Sequence, residues 1–210
     1  MPTPNAVWAI LCLPILPMLQ IVGTAPSDRL WHILVHPTGE WSARLLILCL
    51  MITPLTILFR GSRWPRWLMK QRRYIGVAAF GYAALRAVFY LVDKGTIGGA
   101  LAELARTYIW LGWLASVVFV PLAITSTDGW VRRLGRNWKL LQRSLYAAAV
   151  LTLMHWAALH DWNGWGPALL NFGPLVALEG YRLWWLAGRS RRRTAVPAEA
   201  HFDCAGCGAI

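Results

Sequence analysis

Charged side chains are scarce in this sequence, and acidic ones are the scarcest. Of 210 residues, 14% are charged and nine are Asp or Glu. Soluble domains carry roughly a quarter charged residues, so this composition excludes an ordinary water-soluble globular domain. The chain also has no phosphate-binding glycine loop, no nucleophile elbow and no carboxylate pair at catalytic spacing. No segment outside its apolar stretches is long enough to fold a flavin or nicotinamide domain.

Apolar residues make up 57% of the chain and fall into six long segments. Each is long enough to cross a bilayer core, which needs about 20 residues at 1.5 Å per residue. The sequence therefore predicts an all-α membrane protein, a bundle of six transmembrane helices within residues 1–190, followed by a disordered cytoplasmic tail at 191–210. The predicted helices cover about 5–23, 41–59, 73–92, 107–127, 143–160 and 166–187.

Two further expectations concern the start of the chain. The first apolar segment lacks a basic leader and a small-residue cleavage site, so we expect a retained helix. Residues 27–36 are apolar but too short to span the bilayer, and they predict a separate helix lying in the membrane interface.

Basic residues are distributed unevenly between the two sides of the predicted bundle. One side carries fifteen Lys and Arg, at 60–73, 132–143 and 189–193, whereas the other side carries four, at 29, 44, 94 and 106. The positive-inside rule then places both termini in the cytoplasm. The net charge of +12 comes from basic residues in short runs between the apolar segments. These residues set the orientation in the membrane and lie next to its lipid, so no nucleic-acid partner is expected.

Four ionisable residues fall inside the predicted helices, where such side chains are costly and become functional candidates. By the helical rise, Arg86 and His155 lie about 20 Å and about 18 Å from the inner face, at nearly the same depth. His155 is either a hydrogen-bonded packing residue or a ligand of haem or metal. Glu179 lies within reach of Arg86 and could neutralise it, while Arg182 is close enough to the inner end to extend to water.

The end of the chain contains a histidine and two cysteines at two-residue spacing, at His201, Cys204 and Cys207. This cluster could bind zinc or iron, or the two thiols could cycle as a dithiol. The surrounding sequence is rich in Ala, Pro and Gly without apolar periodicity, which is typical of a disordered tail with two free thiols.

Five short strings occur in a fixed order between about residue 31 and residue 187. They are His-Pro-Thr-Gly at 36–39, Ile-Thr-Pro-Leu at 52–55, Arg-Arg-Tyr-Ile-Gly at 72–76, Thr-Ser-Thr at 125–127 and Arg-Leu-Gly-Arg-Asn-Trp at 133–138. In this order the strings resemble the ferric-reductase-like transmembrane domain, and most closely the YedZ/MsrQ family of haem-binding membrane subunits. The resemblance implies ferric-reductase-like topology.

The same resemblance implies b-type haem held by histidines, with a quinone or flavin as a further cofactor. Electrons would pass from a quinone or cytoplasmic donor to a periplasmic reductase subunit, so the chain would be a non-catalytic electron-transfer subunit of an oxidoreductase. His155 matches a family ligand, but Arg86 and Gln142 stand at two positions where the family has histidine. Neither residue is suited to iron.

These departures leave two alternatives. In the first, His155 binds haem iron alone, and Arg86 contacts a propionate or a bound anion on the opposite face of the cofactor. In the second, the chain is a haem-free ferric-reductase-like membrane scaffold or assembly protein.

Overall fold

The computed structural model describes residues 4–24, 26, 29–95, 98, 99, 103, 106–159, 162 and 165–194. Within these residues the protein is helical, which confirms the predicted all-α class. The helices are α1 (Pro4–Cys12), α2 (Ile15–Thr24), α3 (Leu30–Leu58), α4 (Arg63–Lys94), α5 (Thr107–Ile124), α6 (Asp128–Leu134), α7 (Arg136–Leu159) and α8 (Trp165–Thr194). The tail cluster of His201, Cys204 and Cys207 lies outside the described residues.

The first predicted span folds as two helices, α1 and α2, that meet at Leu13 and Pro14. Proline has no backbone N–H, so Pro14 and Pro17 interrupt the hydrogen-bond ladder at this point. A neighbouring helix supplies a donor here, because the hydroxyl of Tyr82 on α4 donates to the Leu11 carbonyl at 2.9 Å. The break is therefore tied to the bundle by a buried hydrogen bond.

The prediction of a separate interfacial helix at 27–36 is wrong, because Leu30 already begins the long helix α3. Pro37 lies inside this helix and does not end it. The Thr38 hydroxyl donates to the Leu34 and Val35 carbonyls at 2.9 and 3.0 Å, in the turn where Pro37 has no N–H to offer.

Four segments of the described chain are long and apolar enough to cross a membrane: Asn5–Thr24, Leu30–Leu58, Arg63–Lys94 and Thr107–Ile124. The protein is thus a multi-helix membrane protein. Helices α7 and α8 extend the bundle, but both carry several basic residues at one end. The count of six spans stays a prediction.

Helix α3 lies at the centre of the bundle and contacts α2, α4, α7 and α8. Small residues on α4 bring it close to α3: Ala79 is fully buried, and the Ser42 hydroxyl donates to its carbonyl at 2.9 Å. A Cβ added at Gly76 would lie 3.7 Å from the Cys49 sulfur, whereas one at Gly81 would meet nothing within 4 Å. Close packing thus uses the face of α4 that carries Gly76 and Ala79.

The connections divide the bundle into two ends. The basic end comprises the α3–α4 turn, the residues joining α5 to α7 and the last turns of α8; the other end is called the opposite end. At the basic end, Arg73 forms an ion pair with Asp128, and the Arg60 guanidinium lies 3.7 Å from the Trp185 ring centre. At the opposite end, His32 Nδ1 lies 3.3 Å from an Asp93 carboxylate oxygen.

Asp128 lies outside the spanning segments, and its ion pair with Arg73 responds to pH. The hydrogen bond from Arg73 and its positive charge hold the pKa of the Asp128 carboxyl below its usual value. The pair therefore contributes stability at neutral pH and loses it as the pH falls through that lowered pKa.

The hydrogen bond that ties the α1–α2 break to α4 gives a first prediction. Tyr82→Phe should lower the free energy of unfolding by about 1 kcal/mol, since it leaves the Leu11 carbonyl without this donor. Tyr74→Phe is the control, because the described residues offer its hydroxyl no hydrogen bond. Thermal unfolding in detergent measures both, and equal midpoints for the two variants would contradict the prediction.

Candidate functional site at the Arg86–His155 pair

Arg86 and His155 meet across the bundle near its opposite end. Arg86 Nη2 lies 3.4 Å from His155 Nε2, although the residues lie on different helices and 69 positions apart in the sequence. Their predicted equal depth is confirmed by this contact. We call the pair and its immediate neighbours the Arg86–His155 site.

The orientation of the His155 ring is fixed by a backbone carbonyl. His155 Nδ1 hydrogen-bonds the carbonyl oxygen of Tyr108, which lies in the first turn of α5. A carbonyl oxygen only accepts, so Nδ1 carries the proton and Nε2 keeps a lone pair. This is the tautomer in which a histidine can accept a hydrogen bond or bind a metal through Nε2.

A glycine leaves room for the ring on the α5 side. A Cβ added at Gly112 would lie 3.0 Å from His155 Cε1 and 3.1 Å from Nδ1, tighter than ordinary van der Waals contact. The imidazole therefore lies against bare backbone, and any larger side chain at this position would push it away from Tyr108.

Arg86 is held by a carbonyl on α3 as well as by His155. Its Nη1 donates to the Val35 carbonyl at 2.9 Å, in the turn that contains Pro37. A Cβ added at Gly39 would overlap the guanidinium, with the Arg86 Cδ only 2.9 Å away. The contacts of the guanidinium with Val35 and His155 are thus possible only because Gly39 has no side chain.

The expected pair between Arg86 and Glu179 does not form. Glu179 accepts from Arg182 at 3.0 Å and from the Tyr146 hydroxyl at 3.1 Å, and Arg182 also donates to the Tyr146 oxygen at 2.6 Å. This cluster lies in the half of the bundle nearer the basic end, whereas Arg86 lies in the other half. Arg182 thus has partners inside the protein, and the expectation that it also extends to water stays a prediction.

Sequence reasoning overlooked Tyr146, although a signal was available. It lies one helical turn after Gln142 on α7, inside the predicted fifth span. A hydroxyl inside a span is a natural partner for a carboxylate on a neighbouring helix.

Gln142 lies apart from His155, in a cavity of about 400 Å³ at the basic end. The two residues are thirteen positions apart on α7, which corresponds to about 20 Å along the helix. The structure thus brings Arg86 and His155 into contact, whereas Gln142 lies near the other end of α7. This basic cavity is lined by Cys49, Thr53, Met69, Arg72, Arg73, Gly76, Phe80, Phe119, Leu122, Ala123, Ser126, Trp138, Lys139, Gln142, Arg143, Leu145, Tyr146 and Arg182.

The chemistry available at the Arg86–His155 site is one imidazole nitrogen facing one guanidinium. Within the described parts of the chain, no group of three or more His, Cys, Asp or Glu side chains could hold a metal ion. The other two described histidines, His32 and His36, are exposed. A metal bound here would therefore rely on His155 for its protein ligand.

Comparison with known proteins agrees with this architecture. The family model of the ferric reductase like transmembrane component matches residues 38–153, which include Arg86 and Gln142 and end two residues before His155. A helical membrane bundle with a match of this extent is a ferric-reductase-like transmembrane protein. No solved structure shows significant similarity to it.

Curated relatives narrow the class further. The protein-methionine-sulfoxide reductase heme-binding subunit MsrQ of Ralstonia nicotianae is 32% identical over 207 residues, 93% of this chain and 90% of that protein. The proteins of the same name from Xanthomonas campestris pv. campestris and Xanthomonas axonopodis pv. citri are 38% and 39% identical over 170 residues, covering 79% and 78% of this chain and 76% of each relative. The chain belongs to the YedZ/MsrQ family.

The two glycines of the site give a second prediction. Gly39→Ala and Gly112→Ala should each destabilise the protein by about 1–3 kcal/mol, because the added methyl group displaces Arg86 or His155. Gly81→Ala, with open space around it, should be neutral or stabilise α4 by about 0.5–1 kcal/mol. Unfolding midpoints in detergent measure all three, and a Gly39→Ala protein as stable as Gly81→Ala would contradict the site geometry.

The corrected partner of Glu179 gives a third prediction. A double-mutant cycle between Glu179→Gln and Arg182→Gln should show a coupling energy of about 0.5–3 kcal/mol, since the side chains are in contact. The matching cycle between Glu179→Gln and Arg86→Gln should be additive. Coupling in the second cycle and none in the first would restore the pair expected from the sequence.

Proposed function

We propose that this protein is a membrane electron-transfer subunit of the MsrQ type, which holds one b-type haem through His155 and serves a methionine sulfoxide reductase partner. The single observation that carries the proposal is the His155 ring, whose Nε2 lone pair is directed into the bundle by the Nδ1 bond to Tyr108. Family membership supports the class of function, because the relatives are named heme-binding subunits.

His155 would be the one protein ligand of a bound haem iron, because the site offers no second side chain that could bind it. Tyr108 gives His155 the tautomer and ring orientation found in metal-bound histidines. The facing position is Arg86, whose guanidinium stays protonated and has no lone pair to offer. Bound haem would supply a one-electron carrier within the apolar bundle.

Arg86 determines whether Nε2 is available. Its Nη2 lies 3.4 Å from that nitrogen, so it has to leave before His155 can bind a metal. It keeps its bond to Val35 as an anchor, and as a buried cation it favours an anionic group beside it. We propose that it pairs with a haem carboxylate when it releases His155.

A second candidate function is favoured by the same contact. With Arg86 donating to Nε2, both side chains already have partners, and the bundle is complete without a cofactor. The protein would then be a haem-free scaffold or assembly factor of the same reductase system. The two candidates differ in one property, which is whether the folded protein contains haem.

The orientation and the route of electrons are part of the first proposal. Basic residues cluster at one end of the bundle, so we propose that this end and both termini face the cytoplasm of a bacterium, in its inner membrane. Electrons would enter from a quinone or a cytoplasmic donor, and flavin would act through such a donor. They would leave at the opposite end, close to the Arg86–His155 site, toward a periplasmic reductase. A fluorescent protein that matures only in the cytoplasm, fused after residue 210, should fluoresce.

Optical spectra of protein expressed with haem supplied give a fourth prediction. The wild-type protein in detergent should show a stoichiometric Soret band, with b-type peaks on reduction by dithionite. His155→Ala should lose the band, whereas His36→Ala, which changes an exposed histidine on α3, should keep it. A band unaffected by His155→Ala would refute the assignment of the ligand.

Arg86→His separates the two candidate functions. It replaces the guanidinium that covers Nε2 with a second imidazole, and two imidazoles can bind haem iron axially. If the wild-type protein has no Soret band and Arg86→His gains one, the scaffold function is supported and the bundle has kept the space for haem. If both proteins bind haem stoichiometrically, the electron-transfer function stands, and Arg86 only weakens binding.

A further inference from the structure

The basic cavity combines a charged rim with an apolar interior. The side chains of Arg73, Lys139 and Arg143 are exposed at its mouth, and those of Phe80 and Leu145 are among the apolar groups deeper inside. The other apolar lining residues are Met69, Phe119, Leu122 and Ala123. Such a cavity matches an amphiphile with an anionic head.

The positive charge of the cavity exceeds the negative charge around it. Five of the lining residues are Lys or Arg. Arg73 is paired with Asp128, and Arg182 is paired with Glu179. Within the described part of the chain, no carboxylate is paired with Arg72, Lys139 or Arg143, although Arg72 donates to the Thr53 hydroxyl at 3.2 Å. Three cations thus remain without a counter-charge.

These cations come from different helices and surround one space. Arg72 lies on α4, and Lys139 and Arg143 lie in the first two turns of α7. Residues three and four apart share a helix face, so Lys139, Gln142 and Arg143 line the cavity together. The Gln142 amide adds a neutral hydrogen-bond donor between the two cations. Donors on several sides are what a tetrahedral oxyanion requires.

We propose that the basic cavity binds the phosphate group of an anionic phospholipid, with the glycerol and the upper acyl chains against its apolar interior. Basic pockets between transmembrane helices at a cytoplasmic face have the chemistry for such head groups. The phosphate supplies the counter-charge that Lys139 and Arg143 lack, and the aromatic and aliphatic lining accepts the chains. The site is separate from His155, about 20 Å away along α7, and does not depend on haem.

The experiment uses the full-length protein, stripped of lipid in a neutral detergent. It is titrated with phosphatidylglycerol, with phosphatidylcholine of the same acyl chains, and with inorganic phosphate. Native mass spectrometry counts bound lipid and the thermal midpoint reports binding. The test variant is Lys139→Gln with Arg143→Gln. The control is Lys70→Gln with Arg136→Gln, which removes the same charges from exposed positions at the same end that do not line the cavity.

The wild-type protein should bind one phosphatidylglycerol at least tenfold more tightly than phosphatidylcholine. The cavity variant should lose roughly thirtyfold in affinity, the change expected for two basic contacts near a lipid head group, and the control should keep wild-type affinity. The exchange variant Lys139→Arg with Arg143→Lys keeps both positive charges and should retain binding. That result would show that the cavity variant loses affinity because it loses charge.

Three results would overturn the proposal. Equal losses in the cavity variant and the control would mean that lipid responds to the general charge of the basic end. Inorganic phosphate that raises the midpoint and displaces the lipid at similar concentration would mean that a free anion is the ligand. Absence of bound lipid in wild-type protein of unchanged helical content would mean that the cavity has no lipid site. Each result is independent of the Soret band.

Discussion

A guanidinium inside an apolar bundle needs hydrogen-bond acceptors within the protein. In the half of the bundle away from the basic end, the contacts of several residues follow from this requirement. Arg86 has the Val35 carbonyl on one side and His155 Nε2 on the other. An uncompensated polar or charged group in hydrocarbon costs several kcal/mol. The position of His155, its proton on Nδ1 and the bare backbone at Gly39 and Gly112 follow from satisfying this one side chain.

The basic half of the bundle meets the same constraint by a different route. There the half-buried carboxylate of Glu179 is paired with Arg182 and accepts a hydrogen bond from Tyr146, so it neither needs nor reaches Arg86. Lys139 and Arg143 are exposed at the cavity mouth and can remain without a protein partner. Charged side chains are thus paired with neighbours in the same half of the bundle. This explains why depth along the helix axis predicted the wrong partner for Glu179.

The extent to which the sequence predicts this structure depends on what each feature requires. The long helices and the common depth of Arg86 and His155 follow from composition and from the rise per residue, and both were predicted correctly. The continuity of α3 through Pro37 was missed, because a proline inside a helix is tolerated only where the surrounding bundle accommodates it, and the sequence alone does not show that packing. The Tyr146 contact was missed for the same reason, since helix rotation is set by packing.

The Arg86–His155 contact also sets a limit on any cofactor that uses His155. A hydrogen bond to Nε2 and a bond from Nε2 to iron exclude each other, so the two states compete for one lone pair. The apparent affinity for haem is then the intrinsic affinity multiplied by the fraction of molecules in which Arg86 has released the ring. If the contact stabilises the closed state by about 1.4 kcal/mol, that fraction falls to roughly one in ten. A neutral side chain at position 86 would remove this competition but would also leave Nε2 without its donor, so a haem bound through His155 would have to replace a contact that the folded bundle already makes.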